Sequence, residues 1–319
     1  MAIRARIVSV GTALPEKIVG NDHFATYLDT SDEWIVRRTG IKQRRFVDDP
    51  KSPTATSDLG SIAAKNAIDK AGIDPATIDA VICATFSPDN FFPSTACAIS
   101  NKVGASKSFA FDISAACAGF VYGLTIANSL ILSGQCKTVL LVGAEVVSRT
   151  LDFNDRSTCI LFGDGAGAIV LRGEEGERGI LSCECFSDGS LGDILKLPVP
   201  WNGSPSMFMN GTEVFKNAVR LMTDVTRKAI CSARLEFADI NLLVPHQANI
   251  RIIQAMGEYL GLSEDRVVVN VERFGNTSAA SIPIALAEAW DSGRISEGDL
   301  VVFAGLGGGL TVGGAVARF

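Results

Sequence analysis

The sequence predicts a layered α/β protein built from two copies of one unit, and three observations carry that expectation. The chain has 319 residues, 47% apolar and 20% charged, the make-up of a core-rich globular protein. Its β-like runs, such as AVICA (80–84) and VLLV (139–142), are apolar without alternation, as in sheets covered on both faces by helices. A constant offset of 162 residues lays 66–79 over 228–241, 111–120 over 273–282 and 139–145 over 301–307. A shift that stays constant over several elements argues for duplication. We place the halves at 1–171 and 172–319.

Within the first half the pattern predicts a helix over 63–71, strands over 80–84 and 108–113, a helix over 117–132 and a strand over 139–142. The second half repeats this with strands over 242–245 and 267–271, a helix over 278–290 and a strand over 300–304. The two helices that follow Cys117 and Asn276 are the least charged, so they are expected at the centre, between the sheets. Gly and Ala at 115, 116, 118, 119, 279 and 280 permit a close approach there.

Composition removes several functions. A net charge of −6, from 29 Lys+Arg against 35 Asp+Glu, gives no general attraction to nucleic acid. The eight cysteines lie mostly in apolar runs rather than in a paired framework, which points to reduced thiols in the cytoplasm. The N-terminal run contains two arginines and no adequate apolar core for a signal peptide. The uncharged stretch 113–136 is long enough to span a bilayer. Its Ser, Gly, Thr and Asn content instead favours a helix buried in a globular core, and no membrane partner is expected.

The chemistry concentrates where strands meet helices, because catalytic groups in open α/β folds gather at the carboxyl ends of strands. Cys117 opens the central helix, where unpaired N–H groups and the helix dipole can lower a thiol from about 8.5 into the range of roughly 3.5–7.5. It is also one buried cysteine among eight. His246 ends the apolar run NLLVP, and Asn276 lies in FGNTSAAS, where it can also serve as a helix cap. At the offset of 162, His246 overlays Ala84, Asn276 overlays Ser114 and Ala279 overlays Cys117, so the copies differ where the chemistry would be. A thiol, an imidazole and a carboxamide without a carboxylate suit acyl transfer. The sulfur takes the acyl group, and the other two donate hydrogen bonds to a thioester carbonyl as CO₂ leaves and an enolate forms. Burial would keep the imidazole neutral.

The glycine runs exclude other readings. GDGAGA (163–168) leads into a strand rather than a helix, so it fails as a dinucleotide fingerprint. GLGGGLTVGG (305–314) is expected to bring backbone close to the site and to offer an oxyanion N–H. Cys183 and Cys185 have no ligand partners nearby, so no metal is expected. The basic run RRTGIKQRR (37–45) beside Trp34 is either a solvated loop or a cradle for a phosphorylated nucleotide whose base stacks on the indole.

Taken together, TSDEWIVRRTGI (30–41), FPSTAC (92–97), FDISAACAGF (111–120), FGDGAGA (162–168), LVPHQANIRII (243–253), FGNTSAAS (274–281) and GGG (307–309) resemble the thiolase superfamily. The closer resemblance is to the β-ketoacyl-acyl-carrier-protein synthase III family, over nearly the whole chain. It implies a thiolase-like five-layered αβαβα fold, a cytoplasmic homodimer and condensation of an acyl-CoA primer with malonyl-acyl carrier protein to begin fatty acid synthesis. Acyl-CoA enters as substrate, and no cofactor is implied. By resemblance Cys117 is the acylated nucleophile, His246 and Asn276 promote decarboxylation, and the N–H groups of Cys117 and Gly308 form the oxyanion hole. Trp34 and Arg156 would sandwich adenine, Thr30 and Arg38 would line the CoA path, and Ala248 and Asn249 would contact pantetheine. Lys216, Gln247 and Arg251 would dock the carrier. Phe92 would close the partner's acyl pocket, and Leu306 would line this chain's own.

Leu306, Leu310 and Val312 stand where many members carry aromatic residues, so a differently shaped acyl pocket is expected. Degradative thiolases need a second cysteine near the last glycine run, and 304–309 has none. The alternative is a homologue in secondary metabolism that transfers an acyl group to another acceptor.

Overall fold

The computed structural model describes residues 2–47, 55–199, 201–202 and 206–319. The first sheet uses β1 (Ile3–Ala13), β4 (Ala80–Ala84), β5 (Phe109–Ile113), β6 (Thr138–Glu145) and β7 (Gly165–Glu175), in the order β1-β7-β6-β4-β5. Between β1 and β4 lie the hairpin β2 (Lys17–Gly20) and β3 (Gln43–Phe46), and the helices α1 (Asn21–Ala25), α2 (Asp32–Thr39) and α3 (Thr56–Ala71). Helices α4 (Thr95–Val103) and α5 (Gly119–Leu132) flank β5 in sequence.

The second sheet is β11 (Leu242–Pro245), β12 (Leu300–Gly307), β13 (Thr311–Arg318) and β8 (Gly179–Ser187), in that order. A two-stranded ribbon pairs β9 (Leu195–Lys196) with β10 (Phe208–Met209). Four helices complete this half: α6 (Gly211–Ser232), α7 (Ile250–Tyr259), α8 (Val271–Phe274) and α9 (Ser281–Asp291). The equivalent pairs β4 with β6 and β11 with β12 are parallel, and the strand that follows in each sheet, β7 or β13, runs antiparallel. The sheets change over at the turn 176–178, so the expected 171/172 junction falls inside β7.

The layering follows from burial. α5 and α9 share one apolar cluster with inward residues of both sheets, including Phe120, Leu124, Ile282, Leu286, Leu141 and Phe303. α3 covers the outer face of the first sheet through Ala63, Ala67 and Ile68, and α6 covers that of the second through Leu221, Val225 and Ala229. The result is a five-layered αβαβα protein with its least polar helices at the centre, as expected.

The halves also prop each other. A Cβ on Gly143 of β6 would lie 2.3 Å from the Ala279 carbonyl oxygen, and one on Gly305 of β12 would lie 3.3 Å from that of Cys117. These are equivalent contacts at the offset of 162: β6 and its counterpart β12 each press on the opposite half's turn. The turns themselves match. Ala116 (φ 45°) and Ser278 (φ 51°) hold the same left-handed backbone, a conformation that side chains other than glycine adopt at a cost.

The strand expected over 267–271 does not form. Val267 makes one parallel bridge to Leu243, and the Val268 N–H donates to the Leu243 carbonyl at 2.9 Å. Beyond it, the Asn270 and Val271 N–H groups donate to the side-chain oxygen of Gln247, at 2.9 and 3.2 Å. A side chain has taken the place of a ladder, and the chain turns into α8.

Candidate active site

A cavity of about 770 Å³ opens between the halves and is lined by Cys117, His246 and Asn276 together. Cys117 sits in a 3-10 turn (Ala116–Ala118) between β5 and α5, rather than in the α-helix itself, and is 6% exposed. Glycines admit the backbone of β12 here: a Cβ on Gly307 would lie 2.6 Å from the Cys117 nitrogen. The Thr311 hydroxyl donates to the carbonyls of Ala115 at 2.8 Å and Gly308 at 3.3 Å. The glycine run is thereby tied to the nucleophile's turn, and Gly308 lines the same cavity as Cys117.

Burial pushes the Cys117 thiol up to about 12, partly offset by the neighbouring Ser278 hydroxyl. The depressed thiolate expected from a helix start is therefore not what the surroundings produce. Removal from water, in an apolar wall supplied by the other half, outweighs the helix end. Alkylation of Cys117 by iodoacetamide, followed by peptide mass spectrometry, is expected to rise about tenfold per pH unit from pH 7 to 9 without a plateau, since the thiolate is the reactive form. A plateau near pH 7 would restore the depressed thiolate.

His246 follows β11 and is pinned by its own N–H, which donates to the Ala304 carbonyl at 2.7 Å. Its Nδ1 lies 2.6 Å from the Ser281 hydroxyl at the start of α9. Burial pulls the imidazole down to about 3, so it is neutral at pH 7. Asn276 is fixed through backbone bonds: its N–H donates to the Leu161 carbonyl and its carbonyl accepts from Gly163 N–H, both at 2.9 Å. Its side-chain oxygen accepts from Ser278 N–H at 2.8 Å, which leaves the amide NH₂ as the group to donate into the cavity. Among the described residues no Asp or Glu lines the cavity. Among the described residues no group of His, Cys, Asp or Glu could hold a metal ion.

Toward the mouth stand Trp34, Arg38 and Arg156. Ser31 caps α2 by accepting from Trp34 N–H at 3.2 Å, which sets the indole on the cavity side. The Arg156 and Arg38 guanidinium carbons lie 4.7 and 5.2 Å from the Trp34 ring centre. The basic run thus divides its labour. Arg38 faces the cavity, while Arg44 is wholly buried and donates to Val19 O at 3.2 Å, Asn21 Oδ1 at 2.8 Å and Ile160 O.

Ala248, Asn249, Arg251 and Leu306 also line the cavity. Asn249 caps α7, with its side chain accepting from Arg251 N–H at 2.9 Å and donating to the Arg38 carbonyl at 3.1 Å. Four expected site residues, Thr30, Phe92, Gln247 and Lys216, lie outside the cavity lining. Thr30 is half-buried ahead of α2, away from the cavity wall. Phe92 is 86% exposed and outside the cavity of its own chain. Gln247 is 1% exposed, and its amide also donates to the carbonyls of Pro245 and Val268. A side chain spent on the 268–271 segment has nothing left to offer a carrier at the surface. Lys216 is exposed on α6, next to Phe215, over whose ring Arg251 lies at 5.0 Å. Sequence reasoning missed Ser281 and Thr311, which no spacing distinguishes from other buried hydroxyls, and the apolar wall of Phe86, Leu195, Met207 and Met209.

Comparison with known proteins shows the family. Residues 111–189 match the pattern of 3-oxoacyl-[acyl-carrier-protein] synthase III, and 230–319 that of its C-terminal part. A β-ketoacyl-[acyl-carrier-protein] synthase III of Acidiphilium cryptum is 50% identical over 321 residues, covering 99% of each chain. One from Clostridioides difficile is 48% identical, covering 100% of this chain and 99% of the relative. The crystal structure of 3-oxoacyl-[acyl-carrier-protein] synthase III from Aquifex aeolicus superposes with a TM-score of 0.95 at 43% identity, over 99% of this chain and 100% of that one. With whole-length identity at this level and the Cys, His and Asn gathered in one cavity, the chain belongs to the β-ketoacyl-[acyl-carrier-protein] synthase III family.

Proposed function

We propose that Cys117, His246 and Asn276 carry out the decarboxylative condensation of an acyl-CoA primer with malonyl-acyl carrier protein that begins fatty acid synthesis. The observation that carries this reading is a thiol, a neutral imidazole and a carboxamide on one cavity that no carboxylate lines among the described residues. In the first step the Cys117 sulfur attacks the primer's carbonyl, whose oxygen is received by the N–H groups of Cys117 and Gly308. CoA leaves with the proton that the thiol gives up. This order suits a sulfur that rests as a thiol, because its proton transfers as the bond forms.

In the second step the malonyl thioester loses its carboxylate as CO₂. The electron pair left behind is an enolate, whose oxygen accepts hydrogen bonds from His246 and Asn276. The enolate carbon attacks the acyl carbonyl and expels the Cys117 sulfur, which takes a proton from water. No base is needed to remove a proton from carbon, and so a neutral imidazole is sufficient.

The adenine of CoA would enter between Trp34 and Arg156, with Arg38 and Arg251 meeting its phosphates. Trp34→Ala is expected to raise KM for acyl-CoA about tenfold with kcat little changed, since a stacking contact of this kind contributes roughly 1 kcal/mol or more. Steady-state kinetics with varied acyl-CoA checks this. Thr30 would act on the CoA path only through the base of α2. Lys216 and Arg251 form the basic edge that an acidic carrier would meet, without Gln247. Phe91, Phe92 and Trp201 leave an exposed aromatic patch, at 70%, 86% and 74% exposure, through which a second copy would dock as a homodimer. The acyltransferase proposed here would act in the cytoplasm. All eight cysteines are free, and no helix among the described residues is long and apolar enough to cross a membrane.

The deciding experiment supplies a panel of acyl-CoAs and reads the mass added to the intact enzyme, then supplies malonyl-carrier and reads CO₂ and the 3-oxoacyl product. Loading without CO₂ release on addition of malonyl-carrier would point to transfer to another acceptor and overturn the condensation.

A further inference from the structure

Ser281 opens α9, is 1% exposed, and places its hydroxyl oxygen between two groups of the neighbouring strand end. His246 Nδ1 lies 2.6 Å away, and the main-chain nitrogen of Gln247 lies 3.3 Å away. The Gln247 N–H can only donate, so it occupies one lone pair of the hydroxyl oxygen. The hydroxyl hydrogen must then find an acceptor in a place that water does not reach. Among the described residues, Nδ1 is the acceptor within hydrogen-bond distance.

The opposite arrangement, with Nδ1–H donating to the oxygen, would leave the hydroxyl hydrogen buried and unpaired, at a cost of about 1–3 kcal/mol. The donor is therefore Ser281 and the acceptor is Nδ1, and a neutral imidazole then carries its single proton on Nε2. His246 is 2% exposed, and the strand end that carries it is held by its N–H to Ala304 and by the four bonds of the Gln247 side chain.

We propose that Ser281 is a positioning residue that fixes His246 as the Nε2–H tautomer, so that the ring presents a donor, rather than a lone pair, to the substrate cavity. Its effect on turnover rests on the reading that His246 donates a hydrogen bond to the malonyl thioester carbonyl. A ring held the other way would offer a lone pair to the enolate oxygen and repel it. Ser281 touches no substrate and acts wholly through the imidazole.

The chain has two histidines, His23 and His246, so protein labelled with ring ¹⁵N-histidine gives two spin systems. His246 in the unmodified enzyme at pH 7 is expected to show a protonated Nε2 and an unprotonated Nδ1. In Ser281→Ala the Nε2–H population should fall, the condensation step should slow tenfold or more, and loading of Cys117 from acyl-CoA should stay within twofold. An Nδ1–H signal for His246 in the unmodified enzyme overturns the proposal without recourse to a variant, as does an unchanged tautomer in Ser281→Ala. A tautomer that shifts while condensation continues unslowed upholds the role of Ser281 and overturns the donor role of His246 instead.

Discussion

Cys117→Ser is expected to leave the enzyme with no acyl adduct after incubation with acyl-CoA, and with a loss of turnover of at least about 10³-fold. The substitution replaces sulfur with oxygen in a turn that is 6% exposed, so packing changes little and melting should be close to that of the unmodified protein. What changes is the atom. A hydroxyl at this place meets only a weakly basic imidazole, pulled down to about 3, and among the described residues no carboxylate lines the cavity; Glu145 is buried behind Ser278. Intact-mass spectrometry checks the result directly. Undiminished loading in the serine variant would move the nucleophile elsewhere, and the exposed Cys97, Cys185 and Cys231 would be examined next.

His246→Ala and Asn276→Ala should separate the two half-reactions. Each variant is expected to load acyl groups normally and to condense about 10²–10³-fold more slowly, the cost of removing one oxyanion donor. Because both donors would act on the same oxygen, the double variant should fall short of the sum of the two losses. The measurement is single-turnover: acyl-enzyme is formed first, malonyl-carrier is added, and release of labelled CO₂ is followed. Condensation at the unmodified rate in both single variants would remove the pair from the mechanism.

The duplication was legible because an offset of 162 residues survives in the sequence, and the lack of charge in α5 and α9 correctly placed them between the sheets. What the offset could not convey is how the copies use side chains differently. VVVN (267–270) has the composition of a strand, yet Gln247 supplies the acceptor that a neighbouring strand would have given. That one amide accounts for both the missing strand and the absence of Gln247 from the surface. The three residues to which the proposal gives the chemistry stood out because the copies differ at their positions; Cys117 and His246 follow strands β5 and β11, whereas Asn276 follows the short helix α8. The state of the sulfur was not, because the backbone that closes on the Cys117 turn at Gly305 and Gly307 comes from nearly 190 residues away in sequence. The hydroxyls of Ser281 and Thr311 act through distances of 2.6 and 2.8 Å that no periodicity encodes.

The crossed support of the two turns, Gly143 against Ala279 and Gly305 against Cys117, bears on how the molecule tolerates being cut. A break introduced between Gly176 and Arg178 severs the chain but none of these buttresses. The pieces should therefore stay together as one particle and keep turning over. Each piece made by itself should be inert and sticky, since half of the interior it was meant to share would face water. Activity regained on mixing separately made pieces would show that the catalytic architecture is an association between two bodies that happen to be tethered.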